Sequence, residues 1–204
     1  MSQSSSSRWL PWAFVALAAL AVPRPVHAEP HVRNAWFLGV GYGGGWADVQ
    51  IGDLTTDPEW SGLLNARAGY ALRQDLLLGG EYTRWAKDYA YVKLEGDVPV
   101  TLTLSGITAA VTYFPGNAGF MLRGGVGVSV ASVDVRPPDT IDFPVSGKSS
   151  ENGIAMLAAM GYEARVSEKF ALGLEFDVAY LGIGGDVIDH AYLYGLNLQL
   201  NWYW

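Results

Sequence analysis

Residues 170–180 read FALGLEFDVAY, and the reading of this stretch decides the fold. Phe170, Leu172, Leu174, Phe176, Val178 and Tyr180 share one parity, while Ala171, Gly173, Glu175, Asp177 and Ala179 share the other. A strand sends successive side chains to opposite faces, so this strict period of two describes a long strand with two unlike faces. Helical spacing would mix the two sets on every face. The end of the chain repeats the pattern, with Tyr192, Tyr194, Leu196, Leu198, Leu200, Trp202 and Trp204 against Gly195, Asn197, Gln199, Asn201 and Tyr203.

Six further segments lie upstream. The first carries Trp36, Leu38, Val40, Tyr42 and Trp46 on one face and Gly39, Gly41, Gly43 and Gly45 on the other. Its run GVGYGGGW also matches a dinucleotide-binding G-x-G-x-x-G at glycines 39, 41 and 44. A phosphate loop would follow a strand and open a helix, with an acid ~20 residues on. Here the three glycines come from both faces of one strand, so the match is compositional and the stretch reads as wall. Next come Leu64, Ala66, Ala68, Tyr70 and Leu72, opposite Asn65, Arg67 and Gly69, then Leu78, Gly80 and Tyr82, opposite Gly79, Glu81 and Thr83. The fifth and sixth are Phe120 to Val130 and Ile154 to Tyr162. The fourth changes phase: Leu102 and Leu104 have one parity, and Ile107, Ala109, Val111 and Tyr113 the other. A bulge near Ser105-Gly106 would reconcile them, because one extra residue shifts the phase.

Connections alternate in length. Segments two and three are joined by Arg73-Gln74-Asp75, four and five by Pro115 to Ala118, and six and seven by Ser167-Glu168. The other joins, at 48–61, 86–99, 134–152 and 182–190, are long. Prolines 58, 99, 115, 137, 138 and 144 fall in these connections, as strand geometry requires. The expectation is an all-β, eight-stranded antiparallel up-and-down transmembrane barrel, with short turns at one end and long loops at the other.

Composition agrees. Half the residues are apolar and only 16% are charged, against about a quarter in soluble domains. Yet no apolar run after the amino-terminal region is long enough for a membrane helix. Residues 1–28 have the layout of a secretory leader: Arg8, an apolar stretch from Leu10 to Val22, and the small-residue cleavage site Val26-His27-Ala28. The expected mature domain is 29–204. Removing Arg8 and Arg24 leaves 11 of the 13 basic residues against 20 acidic ones, a net charge of −9. So acidic a chain is a poor nucleic-acid binder. The absence of cysteine excludes a disulfide scaffold, a thiol nucleophile and a lipidated start.

A soluble lipocalin-like barrel would show the same period with its apolar face inside. Three features favour lipid outside. The polar face is rich in Gly and Ala, which suits a narrow lumen. The apolar stripes end in Tyr or Trp, as interfacial girdles do. The chain also stops at an aromatic, Trp204, in phase with the apolar stripe.

With these features the chain, from about residue 34 to 204, resembles the small bacterial outer-membrane β-barrels of the OmpA/OmpX type. The resemblance implies insertion in the bacterial outer membrane among its lipids and lipopolysaccharide, with the loops outside. It also implies delivery by the barrel-assembly machinery, for which a terminal aromatic, usually Phe, is the recognition signal; Trp202 and Trp204 take that place. A monomer without cofactor or metal is expected.

On the glycine-rich face lie Arg67, Glu81, Arg123, Glu163, Glu175, Asp177 and Gln199. Lipid exposure of Arg67 near the midplane would cost ~2–4 kcal/mol, so these residues are expected in the lumen as a structural polar network. In the hairpin centred on Gln74, Arg67 and Glu81 stand opposite each other, close enough to pair. An ion or proton path is the alternative reading, but eight-stranded barrels are narrow enough for side chains to fill.

Some small outer-membrane barrels act on lipid A or cleave proteins, and such chemistry needs a histidine near a serine or an acid. His190, with Asp186, Asp189, Ser129 and Ser149 as conceivable partners, is the sole candidate in the barrel, and no catalytic site is expected. The loops are acidic: Asp48, Asp53, Asp57 and Glu59; Asp134, Asp139, Asp142 and Glu151; Asp186 and Asp189. None has the ligand spacing of a calcium loop. Loops 48–61, 86–99 (with Tyr89 and Tyr91), 134–152 and 182–190 are the surfaces for an extracellular ligand. The expected role is structural, adhesive or loop-mediated binding. A lipid-A-modifying enzyme and a narrow channel are the alternatives.

Overall fold

A computed structural model describes residues 33, 35–51, 54–55, 58–93, 96–136, 147–184 and 188–204. The expected leader lies outside these residues, as do Asp53, Asp57, Asp139, Asp142 and Asp186 and the side chain of Tyr91. The strands are β1 (Trp36–Ile51), β2 (Leu54–Thr55), β3 (Glu59–Arg73), β4 (Leu76–Lys93), β5 (Gly96–Tyr113), β6 (Phe120–Val135), β7 (Gly147–Arg165), β8 (Phe170–Gly182) and β9 (His190–Tyr203). Eight of them pair antiparallel in sequence order, and β1 closes on β9. The two-residue β2 only folds back on the end of β1.

Alternation in the sequence becomes inside and outside in the wall. On β9, Ala191 to Tyr203 at odd positions are buried, and Tyr192 to Trp202 at even positions are exposed. A walk in register from Gly39 through Arg67, Glu81, Thr108, Gly127, Ala155, Leu181 and Ala191 returns to β1 at Val49. The ten-residue advance from 39 to 49 is the stagger that tilts the strands by roughly 40°.

Three tight turns close one end: Gln74–Asp75, the stretch Phe114–Gly119 with its 3₁₀ turn at Pro115–Asn117, and Val166–Lys169. In the 3₁₀ turn Gly116 and Asn117 take positive φ, 68° and 55°, a conformation those two residue types tolerate. At the other end the strands run further than the loop boundaries above. Segment 86–99 is mostly a hairpin, with pairing unbroken out to Lys93 opposite Gly96. Pro99 therefore lies within β5, opposite Ala90, and its carbonyl accepts the Arg136 N–H. Its missing donor is harmless because β5 is there beyond the closed wall. A run of β-branched residues, Val98, Val100, Thr101 and Thr103, carries the strand through it.

The bulge expected at Ser105-Gly106 is absent: β5 keeps one register against both neighbours. Leu104 is instead fully buried, and Leu102 packs beside it. The phase change arises because the loop-side half of the lumen is apolar. Trp85, Leu63, Leu104, Leu181, Leu193, Ile183 and Ile188 form an inner cluster there. Phe37, Leu77, Phe114, Met121 and Tyr203 form a second cluster at the turn end.

Where β1 meets β9, space is short. A Cβ on Gly43 would strike the Leu196 carbonyl, whereas one on the outward Gly80 would meet nothing nearer than 3.8 Å. Gly43→Ala should therefore lower stability by ~1–3 kcal/mol, the usual cost of overpacking. Gly80→Ala should change it by less than ~0.5 kcal/mol. Urea midpoints of the barrel refolded in lipid vesicles check the pair, and equal midpoints would refute this account of the seam.

Candidate functional site

Three zones follow one another along the lumen: the turn-end cluster, a band of polar or glycine positions, and the loop-side cluster. Register and parity put Arg67 on β3, Glu81 on β4, Arg123 on β6, Glu163 on β7, Glu175 and Asp177 on β8, and Gln199 on β9, all inward and buried. Glu175 is the centre. Its carboxylate accepts from Arg67 Nη1 at 3.0 Å and from Arg123 Nη1 and Nη2 at 2.8 and 2.7 Å. Arg123 also donates to Glu81 Oε2 at 2.8 Å and to Thr112 Oγ1 at 3.1 Å, and Arg67 to Asn201 Oδ1 at 2.8 Å. Charge-assisted and forked, these are strong bonds in a medium with little water to compete.

Arg67 and Glu81 do stand in register. Their ion pairs, however, go elsewhere: Arg67 to Glu175 and Glu81 to Arg123. In so narrow a barrel, long side chains reach across the lumen as readily as along the wall.

Arg33, just before β1, joins this network. Fully buried at the turn end, it pairs with Glu163 at 3.0 Å, donates to the carbonyls of Gln74 and Ala118, and stacks 3.5 Å over Phe114. Glu163 Oε2 in turn accepts from Asn201 Nδ2 and the Tyr203 hydroxyl. Nothing in strand periodicity marks Arg33, because it lies outside the alternating segment. Asn197, which donates to Asp177 Oδ1 at 2.6 Å, and Asn201 lie on the inner parity of the last segment. Asn65, Gln199, Thr108 Oγ1, Glu81 Oε1 and Asp177 Oδ2 have no protein partner, the kind of polar pocket that ordered water satisfies.

Two apolar plugs seal this band. Trp85 fills the loop-side cluster and anchors there by donating Nε1–H to the Gly45 carbonyl at 3.1 Å. On the turn side, Phe37, Leu77, Phe114, Met121 and Tyr203 line, with Arg67, Thr112 and Arg123, a void of about 10 Å³. That is room for one water molecule.

His190 does not enter the lumen. It opens β9 at the loop-side rim, against the Tyr180 and Tyr192 rings at 5.8 and 5.6 Å. Ser129 is on the other side of the wall, buried and donating to the Ile154 carbonyl. Among the described residues no group of three or more His, Cys, Asp or Glu is arranged to hold a metal.

Outside, aromatic residues ring the turn end. Trp36 packs edge-on against Tyr70 at 5.4 Å and Phe170 stacks on Trp202 at 5.6 Å, with Trp204 at 5.3 Å from Trp202. At the loop end Trp46 and Trp60 meet at 4.4 Å, and Tyr180, Tyr192 and Tyr194 continue the belt.

A family model described as the outer membrane protein beta-barrel domain matches residues 12–200. Among solved structures, Ail, the attachment invasion locus protein of Yersinia pestis, in complex with the heparin analogue sucrose octasulfate, is similar with a TM-score of 0.59. It is 11% identical, over 82% of this chain and 99% of that one. Neisserial surface protein A gives 0.57 at 16% identity, over 83% of this chain and 97% of the other. At such identities the likeness is one of fold. No curated protein sequence matches the chain.

Removing Arg67 would leave Glu175 one donor short in the band. Arg67→Ala should cost ~3–5 kcal/mol, as when one partner of a buried pair is lost. Arg84→Ala, on the outer face, should cost less than ~1 kcal/mol. Urea unfolding in vesicles compares them, and coincident midpoints would refute the cross-lumen assignment.

Proposed function

Because the chain belongs to the outer membrane protein beta-barrel family and is a protein of the bacterial outer membrane, we propose that it is a non-enzymatic surface-binding barrel. In this reading the sealed wall is the anchor and the four loops do the work. The observation that carries it is the lumen: a paired charge layer between two apolar plugs supports neither a conduit nor a catalytic pocket.

Charge distribution supports the loops as the working surface. Segments 48–61, 86–99, 134–152 and 182–190 hold thirteen acidic and four basic residues, a net of −9. The rest of the expected mature chain holds seven of each and is neutral. The whole charge excess thus belongs to the loop segments, which favours a cationic partner through long-range attraction. Ail was captured with a polyanion; the acidic loops here argue for the opposite sign. Removal of residues 1–28, delivery by the assembly machinery through Trp202 and Trp204, and a monomeric state complete the proposal. Against lipid A chemistry stands the setting of His190, among tyrosine rings on the outside of the wall.

Three measurements test it. Purified protein in planar bilayers should give no single-channel steps; reproducible steps would replace the anchor reading with a channel. Cells expressing the protein should bind a lysine-rich probe peptide and lose that binding when Asp48, Glu59, Asp134 and Glu151 are neutralised together. Their lipid A mass spectrum should stay unchanged. Altered lipid A that reverts on His190→Ala would favour the enzyme, and probe binding indifferent to loop charge would remove the cationic partner.

A further inference from the structure

The aromatic belt at the loop end is incomplete. Trp46 on β1, Trp60 on β3, Tyr180 on β8 and Tyr192 and Tyr194 on β9 supply it over half the circumference. On β4 and β5 the corresponding outward positions hold Arg84, Ala86, Ser105 and Thr103 instead. Arg84 is exposed and outward, flanked along β4 by the buried, inward Thr83 and Trp85. Its neighbours in register are Leu64 on β3 and Ser105 on β5.

Leu64 lies four positions below Trp60 on the same strand, and the stagger of the wall lifts β4 by about one residue relative to β3. The Arg84 backbone therefore enters the wall just beneath the belt, where lipid chains meet head groups. The cost of an arginine on the lipid face falls steeply from the midplane to this level, and its long side chain can reach upward. Among the described residues Arg84 makes no ion pair or hydrogen bond, and neither the Ser105 nor the Thr103 hydroxyl has a partner. The nearest outward acid along β4, Asp88, accepts from Thr101 at 2.6 Å further from the membrane.

We propose that Arg84, with the hydroxyls of Ser105 and Thr103, forms a seat for a phosphate group of the phosphorylated glycolipid in the outer leaflet. The guanidinium fork suits a phosphate's paired oxygens, and the two hydroxyls add donors from the adjoining strand. No bulky aromatic covers the seat on either strand. The site is independent of the loops and their charge, and it fixes one lipid beside β4 and β5.

Native mass spectrometry of the protein in detergent, titrated with bisphosphorylated lipid A, its dephosphorylated form and phosphatidylglycerol, provides the test. Wild-type protein should retain bisphosphorylated lipid A preferentially, and R84Q should retain it about tenfold less, the loss expected for a charge-assisted bond. R84K, which keeps the charge without the fork, should fall between. Heat-dependent gel mobility verifies that each variant is folded. Equal retention by wild type and R84Q would overturn the seat. Equal retention of the dephosphorylated form would overturn phosphate as the ligand group, and stronger retention of phosphatidylglycerol would overturn the glycolipid as its source.

Discussion

One carboxylate, Glu175, holds two arginines from opposite sides of the lumen, and the interior is arranged around that contact. Arg67 and Arg123 come from β3 and β6, which are not neighbours in the wall. Without Glu175, Arg67 would be a buried charge with no carboxylate and Arg123 would keep Glu81 alone, and an uncompensated buried charge is more than a domain of ordinary stability can carry. Bridging them on one acid places both charges in a single layer. The layer in turn requires neighbours without bulk: a Cβ on Gly39 would strike Arg67 and Asn201, and one on Gly41 would strike Gln199. It also requires bulk water to be kept from its faces, which the two apolar clusters do. Breaking the bridge would therefore release more than one ion pair.

How far the sequence carries is clear from particular residues. Parity along each segment was enough to divide lipid-facing from lumenal side chains on β8 and β9, because a residue's face depends only on its own strand. The partners of Arg67 and Glu81 were not legible in this way. Hairpin register names the residue beside a side chain on the wall, whereas an arginine side chain in a barrel of this width selects among all inner faces. Leu102 and Leu104 misled for a related reason. An apolar residue on a barrel strand faces lipid only where the lumen is polar, and here the loop-side lumen is a hydrocarbon plug. Arg33 escaped because its place depends on two turns and a strand distant from it in sequence.

The likeness to Ail and neisserial surface protein A persists at 11% and 16% identity. Lipid asks only that outward residues be apolar and that the rims be aromatic, and many sequences satisfy both. Fold similarity therefore speaks to placement in the membrane and leaves recognition to the residues beyond it.

The glycine stripe of β1 has a consequence for how the wall is joined. Asn201, Gln199 and Asn197 of β9 lie over Gly39, Gly41 and Gly43, so that added Cβ atoms on β1 would collide with them. β1 and β9 are also the wall strands furthest apart in the chain, and closing so long a loop is a slow step. At this seam all the side-chain volume of the polar band belongs to one edge. The two edges can then meet by hydrogen bonding alone, with no teeth to interleave, and the last strand arrives with its amides already laid flat. Closure of the barrel becomes a zip of backbone against backbone, and the smoothness of β1 is what leaves the track clear.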